Sequence, residues 1–407
     1  MLAKILHQLI TTTVVALFVT APTAAAKPVK VFILVGQSNM QGHAAVTTFD
    51  HVGMDPKTAP LLKEMRNADG TARVCDHVWI SSIGNDGTND EHTGKLTAGY
   101  GAMGRGSKIG PELTFGIRMQ QAYPDQPILL IKTAWGGKSL HTDFRSPSAG
   151  PYEFREGQIE SLKKRNKDVE QARKDRAEAT GKYYRLMLDH VQHVLKDVGR
   201  VCPEYDQEAG YELSGFVWFQ GWNDMVDSGV YPQRGQPGGY SAYSKNMAHF
   251  IRDVRSDLDS PKLPFVIGVL GVNGPIAKYG PSQQRYKGIH GGFRSAMAAP
   301  ASMPEFEGNV AAVLTENYWD HELEEVKSRG AKINAKSREL REDKNLTRAD
   351  REAALEKFRA EVYSDRDLEI LKGSSNAGFH YNGSAKIMAQ IGVGFAEAIL
   401  EMQEKAN

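Results

Sequence analysis

Short apolar runs that stop in Gly, Ser or Asn recur along this chain, and they constrain its fold more than any other feature. They read "VKVFILVGQSN", "HVWISSIG", "PILLIKTAWGG", "FVWFQGWND", "FVIGVLGVNG" and "VAAVLTEN". A continuous, β-branched run predicts a strand buried on both faces, whereas a half-exposed strand would alternate. Most of the intervening stretches have helical spacing: "PELTFGIRMQQAY", with Pro111 as a good first helical residue, "YYRLMLDHVQHVLKDV", "YSKNMAHFIRDVRSDL" and "SAKIMAQIGVGFAEAILEM". Strands alternating with helices predict an α/β fold with a mostly parallel sheet covered on both faces.

Two segments break this rhythm. Residues 153–178 and 321–371 are densely charged with few large apolar residues, and "TRADREAALEKF" opens like a capped helix at Thr347 and Asp350. Both are expected to be solvated helical insertions in a single domain over residues 27–407. The first 26 residues read as an export signal. Lys4 is basic, Leu9 to Val19 is apolar but too short and Thr-rich for a membrane span, and Ala24 and Ala26 occupy cleavage-site positions. A periplasmic or secreted protein, off the membrane once the signal is cleaved, is the expectation. Fifty basic and 49 acidic residues leave a formal charge of +1, which gives no sign of a nucleic-acid partner. The two cysteines, Cys75 and Cys202, suit either a disulfide permitted outside the cytoplasm or two buried thiols, and their spacing fits no structural zinc site.

The opening run ends in Gly36, Gln37 and Ser38. A turn explains those residue types. So does a nucleophile, because ligands in open α/β sheets bind beyond the carboxyl ends of the strands. Position 40 is Met, so the G-x-S-x-G elbow is absent. "FVWFQGWNDM" and "IKTAWGGKSL" also run from strand into polar residues, and "GFHYNGSAKIMAQIG" places His380 just before a helix expected to be capped at Ser384. Ester cleavage needs what these ends supply: a hydroxyl nucleophile (Ser38), a base titrating near neutrality (His380), and oxyanion donors from a glycine amide, an Asn side chain and the Ser38 amide. His43 lies beside the nucleophile loop and reads as structural or substrate-facing. Glu112 reads as a first-turn acid favoured by the helix dipole. Trp135, Trp222 and Trp319 are aromatic platforms for sugar rings or core residues.

The order Ser, Gly, Asn, His resembles the SGNH (GDSL-type) hydrolases. "GQSNM", "GPELTFG", "WGGKSL" and "WFQGWND" resemble more narrowly its sialate O-acetylesterase and acetylxylan-esterase branch, over roughly Lys30 to Val272 plus the C-terminal His block. The resemblance implies a flavodoxin-like three-layer α/β/α sandwich and no metal or other cofactor. It implies Ser38 as nucleophile, His380 as base, and oxyanion donors from Ser38, Gly137 (or Gly136) and Asn223, with Gln220 a rival for Asn223. The implied substrates are acetylated carbohydrates, with sialate or xylan-type acetyl esters.

Two departures stand out. Trp222 replaces the branch's usual Glu, although Gly221, Asn223 and Asp224 keep the wider G-x-N-D pattern. Ala377 stands where the family's acid normally lies, three residues before the His. A carboxylate from elsewhere is one remedy. Asp320, on the loop after "VAAVLTENYW", is the first choice ahead of Glu316 and Asp224, although it is equally placed to cap a helix starting at His321. A backbone-supported Ser–His dyad is a second remedy. A non-catalytic glycan-binding protein is the competing reading, and a lipase-like enzyme is a weaker one because no long apolar stretch lines an acyl tunnel.

Overall fold

The computed structural model describes residues 26–406 except residue 105. All of the assigned export signal but Ala26 lies outside the described residues. In chain order the strands are β1 (Val29–Gly36), β2 (Ala44–Ala45), β3 (Val78–Ile83), β4 (His92–Lys95), β5 (Lys108–Ile109), β6 (Ile128–Ala134), β7 (Tyr211–Phe219), β8 (Phe265–Val269) and β9 (Val310–Leu314). Seven of them form one sheet in the order β4-β3-β6-β1-β7-β8-β9, and β2 pairs with β5 in a small ribbon. All neighbours in the large sheet are parallel except β4. Without β6 and the antiparallel β4, the order is the flavodoxin order 2-1-3-4-5, so β6 is an extra strand between the first and second.

The apolar runs are continuous because helices cover both sides. Along β7, Gly215 and Phe219 face the helix Ala385–Ala406 through Ile399 and Phe395. Phe216 and Trp218, on the opposite face, pack on Phe250 of the helix Ser241–Asp257. Val31 to Val35 are fully buried. Burying each such side chain contributes about 1.5–3 kcal/mol, so the central strands anchor the core.

The first charged segment forms helices Glu156–Lys164 and Val169–Ala179, neither with a buried side chain. The second forms four helices, His321–Ser328, Gly330–Glu342, Arg348–Val362 and Asp365–Leu371, around a small cluster of their own that includes Leu323, Val326 and Ile333. Thr347 and Asp350 make the expected capping box. Ser384 does not cap the last helix: its hydroxyl has no partner among the described residues, and the Ala385 amide donates to Thr48 Oγ1 instead. Cys75 and Cys202 are free, buried thiols, pushed up to about 12 and about 11 by burial. Among the described residues no helix is long and apolar enough to cross a membrane.

Candidate active site

Parallel pairing aligns the ends of the three central strands. Gly36 sits opposite Ala134 of β6 and Phe219 of β7. The next residues are therefore neighbours: Gln37-Ser38 after β1, Trp135-Gly136-Gly137 after β6, and Gln220 to Asn223 after β7. The Gln37 amide donates to Phe219 O, and the Trp135 amide to Gly36 O, which fastens the three ends together. Gly36 is required here, because a Cβ would stand 2.1 Å from Phe219 O.

Ser38 opens a one-turn helix, Ser38–Gln41, and is partly exposed. A buried ion pair holds this turn from below. Lys132 Nζ donates to Gln41 O (2.9 Å), Tyr100 O (2.7 Å) and Glu112 Oε2 (2.8 Å), and Glu112 Oε1 accepts from the Gly110 amide. Glu112 does lie in the first helical turn, but its carboxylate serves Lys132. Removing one partner of such a pair strands a buried charge, at roughly 3–5 kcal/mol.

Gly136 and Gly137 are exposed beside the nucleophile, and a Cβ on Gly136 would lie 3.9 Å from Ser38 Cβ. Gly137 has φ +75°, a left-handed conformation that glycine adopts without strain. The loop beyond is anchored by Asp224. Its fully buried carboxylate accepts from the amides of Leu140 (2.7 Å) and His141 (3.1 Å), from Gln220 Nε2 (2.6 Å) and from the Tyr231 hydroxyl (3.1 Å). Burial nevertheless raises its pKa above the usual carboxylate value.

At the β7 end the structure separates Asn223 from Gln220. Gln220 is buried, and its side chain is committed to Lys138 O, Asp224 and the Tyr243 hydroxyl. It has no donor left for an oxyanion, contrary to the expectation that it rivals Asn223. Asn223 is partly exposed, and Gln37 holds it. With the Gln37 amide oriented to satisfy its neighbours, its nitrogen donates to Asn223 Oδ1 (2.9 Å) and Lys138 O (2.8 Å). That leaves the Asn223 Nδ2 donor group uncommitted to Gln37.

His380 lies on the loop Gly378–Gly383, which touches the Ser38 turn. Tyr381 and Asn382 follow it with φ +51° and +60°. Two consecutive non-glycine residues in that region cost of order 1–3 kcal/mol each, and the surroundings enforce them. The Tyr381 hydroxyl accepts from the Gly271 amide (2.8 Å) and pairs with Thr315 Oγ1 (2.6 Å). Lys327, from the second charged segment, donates to Asn382 Oδ1 (2.6 Å) and Ser374 Oγ (2.9 Å). That segment thus braces the His380 loop.

Asp320 is not the partner of His380. It caps the helix His321–Ser328 by accepting from the Leu323 amide (3.0 Å), and it pairs with His51 Nε2 (2.7 Å) and Lys386 Nζ (3.1 Å). Burial opposes its charge, but the His51 contact, the Leu323 amide and Lys386 hold its carboxyl below the ordinary range. The other two candidates are also engaged: Glu316 pairs with Arg294, and Asp224 anchors the loop after β6. The residue against His380 is Asn376, whose Oδ1 lies 3.1 Å from His380 Nδ1. It stands one position before Ala377, so a search at the family's usual spacing passes over it. His43 stacks on His380, with centroids 3.8 Å apart and planes 1° from parallel. Burial, then Lys108, lowers His380 to about 4, and burial, then His380 and Lys108, lowers His43 to about 3. Both rings are neutral at pH 7. No hydrogen bond joins Ser38 Oγ to His380 among the described residues, and such contacts commonly tighten only when substrate binds.

The tryptophans divide. Trp135 is buried, donates to Asn89 Oδ1 (3.0 Å) and packs edge-on to Tyr183, so it is a core residue and no sugar platform. Trp319 is also buried. Trp222 is partly exposed, 5.6 Å from the ring of Phe379, which is 41% exposed beside His380. Phe379 carried no sequence signal beyond its place next to the histidine. Among the described residues no cluster of three or more His, Cys, Asp or Glu side chains is arranged to hold a metal ion.

A parallel sheet with Ser, Gly and Asn at adjacent strand ends and a braced His beside them is the frame of a carboxylic ester hydrolase of the Ser-Gly-Asn-His type. The family model "Carbohydrate esterase, sialic acid-specific acetylesterase" matches residues 28–290, and the chain belongs to that family of carbohydrate acetylesterases. The matched span includes Ser38, Gly137 and Asn223, and His380 lies beyond it. No curated protein matches the chain. Among solved structures, a protein from Arabidopsis thaliana is 17% identical with a TM-score of 0.37, covering 70% of this chain and 85% of its own. A carbohydrate acetylesterase from Xanthomonas citri is 11% identical with a TM-score of 0.36, covering 70% of this chain and 50% of its own.

Proposed function

We propose that this chain is an exported serine esterase that removes O-acetyl groups from carbohydrates through Ser38 and His380. The observation that carries the reading is the register that sets Gly36, Ala134 and Phe219 side by side. Ser38, Gly137 and Asn223 then share one edge, with the His380 loop against it. Ser38 Oγ attacks the acetyl carbonyl while His380 Nε2 takes its proton. The Ser38 and Gly137 amides and Asn223 Nδ2 donate to the developing oxyanion. Collapse passes the proton from His380 to the leaving sugar oxygen and leaves an acetyl-serine. Water, deprotonated by His380, then releases acetate.

Trp222 and Phe379 flank this edge and suit the apolar face of a sugar ring. The case for a non-catalytic glycan-binding protein rested on Ala377, and Asn376 now supplies the imidazole with a partner. Export rests on the N-terminal sequence pattern, and fractionation of the full-length chain followed by N-terminal sequencing tests it. The catalytic reading is tested with acetylated sialic acid and acetylated xylo-oligosaccharides. The wild type should release acetate from at least one, and Ser38→Ala should lose roughly 10⁴-fold or more in turnover while remaining folded. A variant that keeps a tenth of the wild-type rate would exclude Ser38 as the nucleophile.

A further inference from the structure

We propose that Asn376 is a positioning residue that locks the stacked imidazoles in opposite tautomers, His380 as the proton acceptor and His43 as a hydrogen-bond donor toward the bound sugar ester. The inference rests on the esterase reading and adds to it a neutral orienting group and a second working histidine.

The argument begins at one backbone amide. The Ala377 N–H donates to Asn376 Oδ1 at 2.7 Å. A backbone N–H only donates, so the atom facing it is the carbonyl oxygen, which fixes the orientation of the side-chain amide. That same oxygen lies 3.1 Å from His380 Nδ1 and only accepts. His380 therefore carries its proton on Nδ1 and keeps the Nε2 lone pair free, the form required of a base. The other end of the amide, Nδ2, lies 3.4 Å from His43 Nδ1 and only donates. His43 Nδ1 therefore accepts, and the His43 proton sits on Nε2. Because the rings are stacked and parallel and both present Nδ1 to one amide, their Nε2 atoms lie on the side away from Asn376. His43 Nε2 is buried and has no partner among the described residues. A buried donor without a partner costs about 1–3 kcal/mol, and an oxygen of the substrate satisfies it.

The arrangement is held on both sides. Ser375 Oγ lies 3.2 Å from His43 O and 2.7 Å from Gly383 O, and it accepts from the Ala45 amide (3.1 Å), tying the two histidine segments together. The charged groups facing the pair are Lys108 on β5 and, toward His43, Lys132 from β6, which Glu112 neutralises. Among the described residues no carboxylate hydrogen-bonds to or pairs with either ring. An acid in place of Asn376 would favour the imidazolium, whereas an amide orients the ring without that charge.

The test reads tautomers directly. Long-range proton–nitrogen spectra of the full chain, with assignments from His43→Gln and His380→Gln, should show at pH 7 a protonated Nδ1 on His380 and a protonated Nε2 on His43. The same tautomer on both rings, or an imidazolium on either, overturns the proposal. In Asn376→Asp the carboxylate only accepts, so His43 should switch to its Nδ1-protonated form. The acid limb of kcat/KM should also move up by about one to two pH units, the scale of an adjacent opposite charge. An unmoved limb or an unswitched His43 overturns the assignment. Asn376→Ala should lower kcat by roughly tenfold or more as the His380 tautomers mix, and unchanged tautomers in that variant would also refute it. If Ser38→Ala kept its turnover, the esterase reading would fail while the spectra still reported the tautomers, so the two failures are separable.

Discussion

Asp224 offers a direct test of how the site is held. Its carboxylate accepts four hydrogen bonds in full burial, from the Leu140 and His141 amides, Gln220 Nε2 and the Tyr231 hydroxyl. Two of these donors lie on the loop that carries Gly137, and Gln220 reaches the same loop at Lys138 O. In Asp224→Asn one carboxylate oxygen becomes an NH2. The least costly placement puts it beside Tyr231, whose hydroxyl rotates to accept, and leaves the His141 N–H facing a donor. One such orphaned amide costs about 1–3 kcal/mol. Asp224→Ala strands all four donors, at about 4–6 kcal/mol if each bond contributes about 1–1.5 kcal/mol. With an unfolding entropy near 2.1 cal/mol/K per residue, a chain of about 400 residues loses about 1.2 °C of Tm per kcal/mol, so the expected drops are about 1–4 °C and about 5–7 °C. Kinetics should follow. A loop that shifts by about 1 Å misplaces the Gly137 donor and lowers kcat by up to about 10²-fold with little change in KM. Calorimetry and acetate-release assays on both variants check this. A Tm within a degree of wild type in Asp224→Ala would refute the anchoring argument, and a lowered Tm with intact kcat would refute its link to the oxyanion loop.

Asn223→Ala should lower kcat by roughly 10²–10³ with little change in KM, whereas Gln220→Ala should act chiefly on Tm because its amide bridges Asp224 and Lys138; equal kcat losses with an unchanged Tm in Gln220→Ala would reverse the donor assignment. Asp320→Asn should leave kcat within about threefold of wild type and lower the Tm, since one amide oxygen cannot serve both the Leu323 amide and the His51–Lys386 side and the charge paired with Lys386 is lost, and a hundredfold loss of kcat at constant Tm would restore Asp320 as the acid. Its depressed pKa gives that stability a sign: the contribution is full above the unfolded value of about 3.9 and is lost as pH falls through the folded value, so thermal scans should show the Tm gap between wild type and variant closing below about pH 4. Dialysis against EDTA should leave esterase activity unchanged, and loss followed by recovery on adding zinc or calcium would place a metal in the reaction.

The sequence alone specified the frame. Continuous apolar runs determined which segments became central strands, because only a strand covered on both faces gains from burying every side chain, and Val31 to Val35 are buried throughout. The polar residues that interrupt those runs marked the strand ends, so the placement of Ser38, Gly137 and Asn223 beyond neighbouring strands was legible in the sequence. Tertiary structure decided which polar groups remained free to act. Gln220 and Asn223 look equivalent as amides in sequence, yet one is consumed by Asp224, Lys138 and Tyr243 while the other stays partly exposed. Asp320 was well placed along the chain, but His51 and Lys386 reach it from segments far away in sequence. Asn376 was hidden because an orienting hydrogen bond depends on how a loop turns, and two residues in the left-handed region turn this one. Strand identity follows from local burial and is written along the chain. Hydrogen-bond partnership is a competition among groups from distant segments, and only the folded chain brings those competitors together.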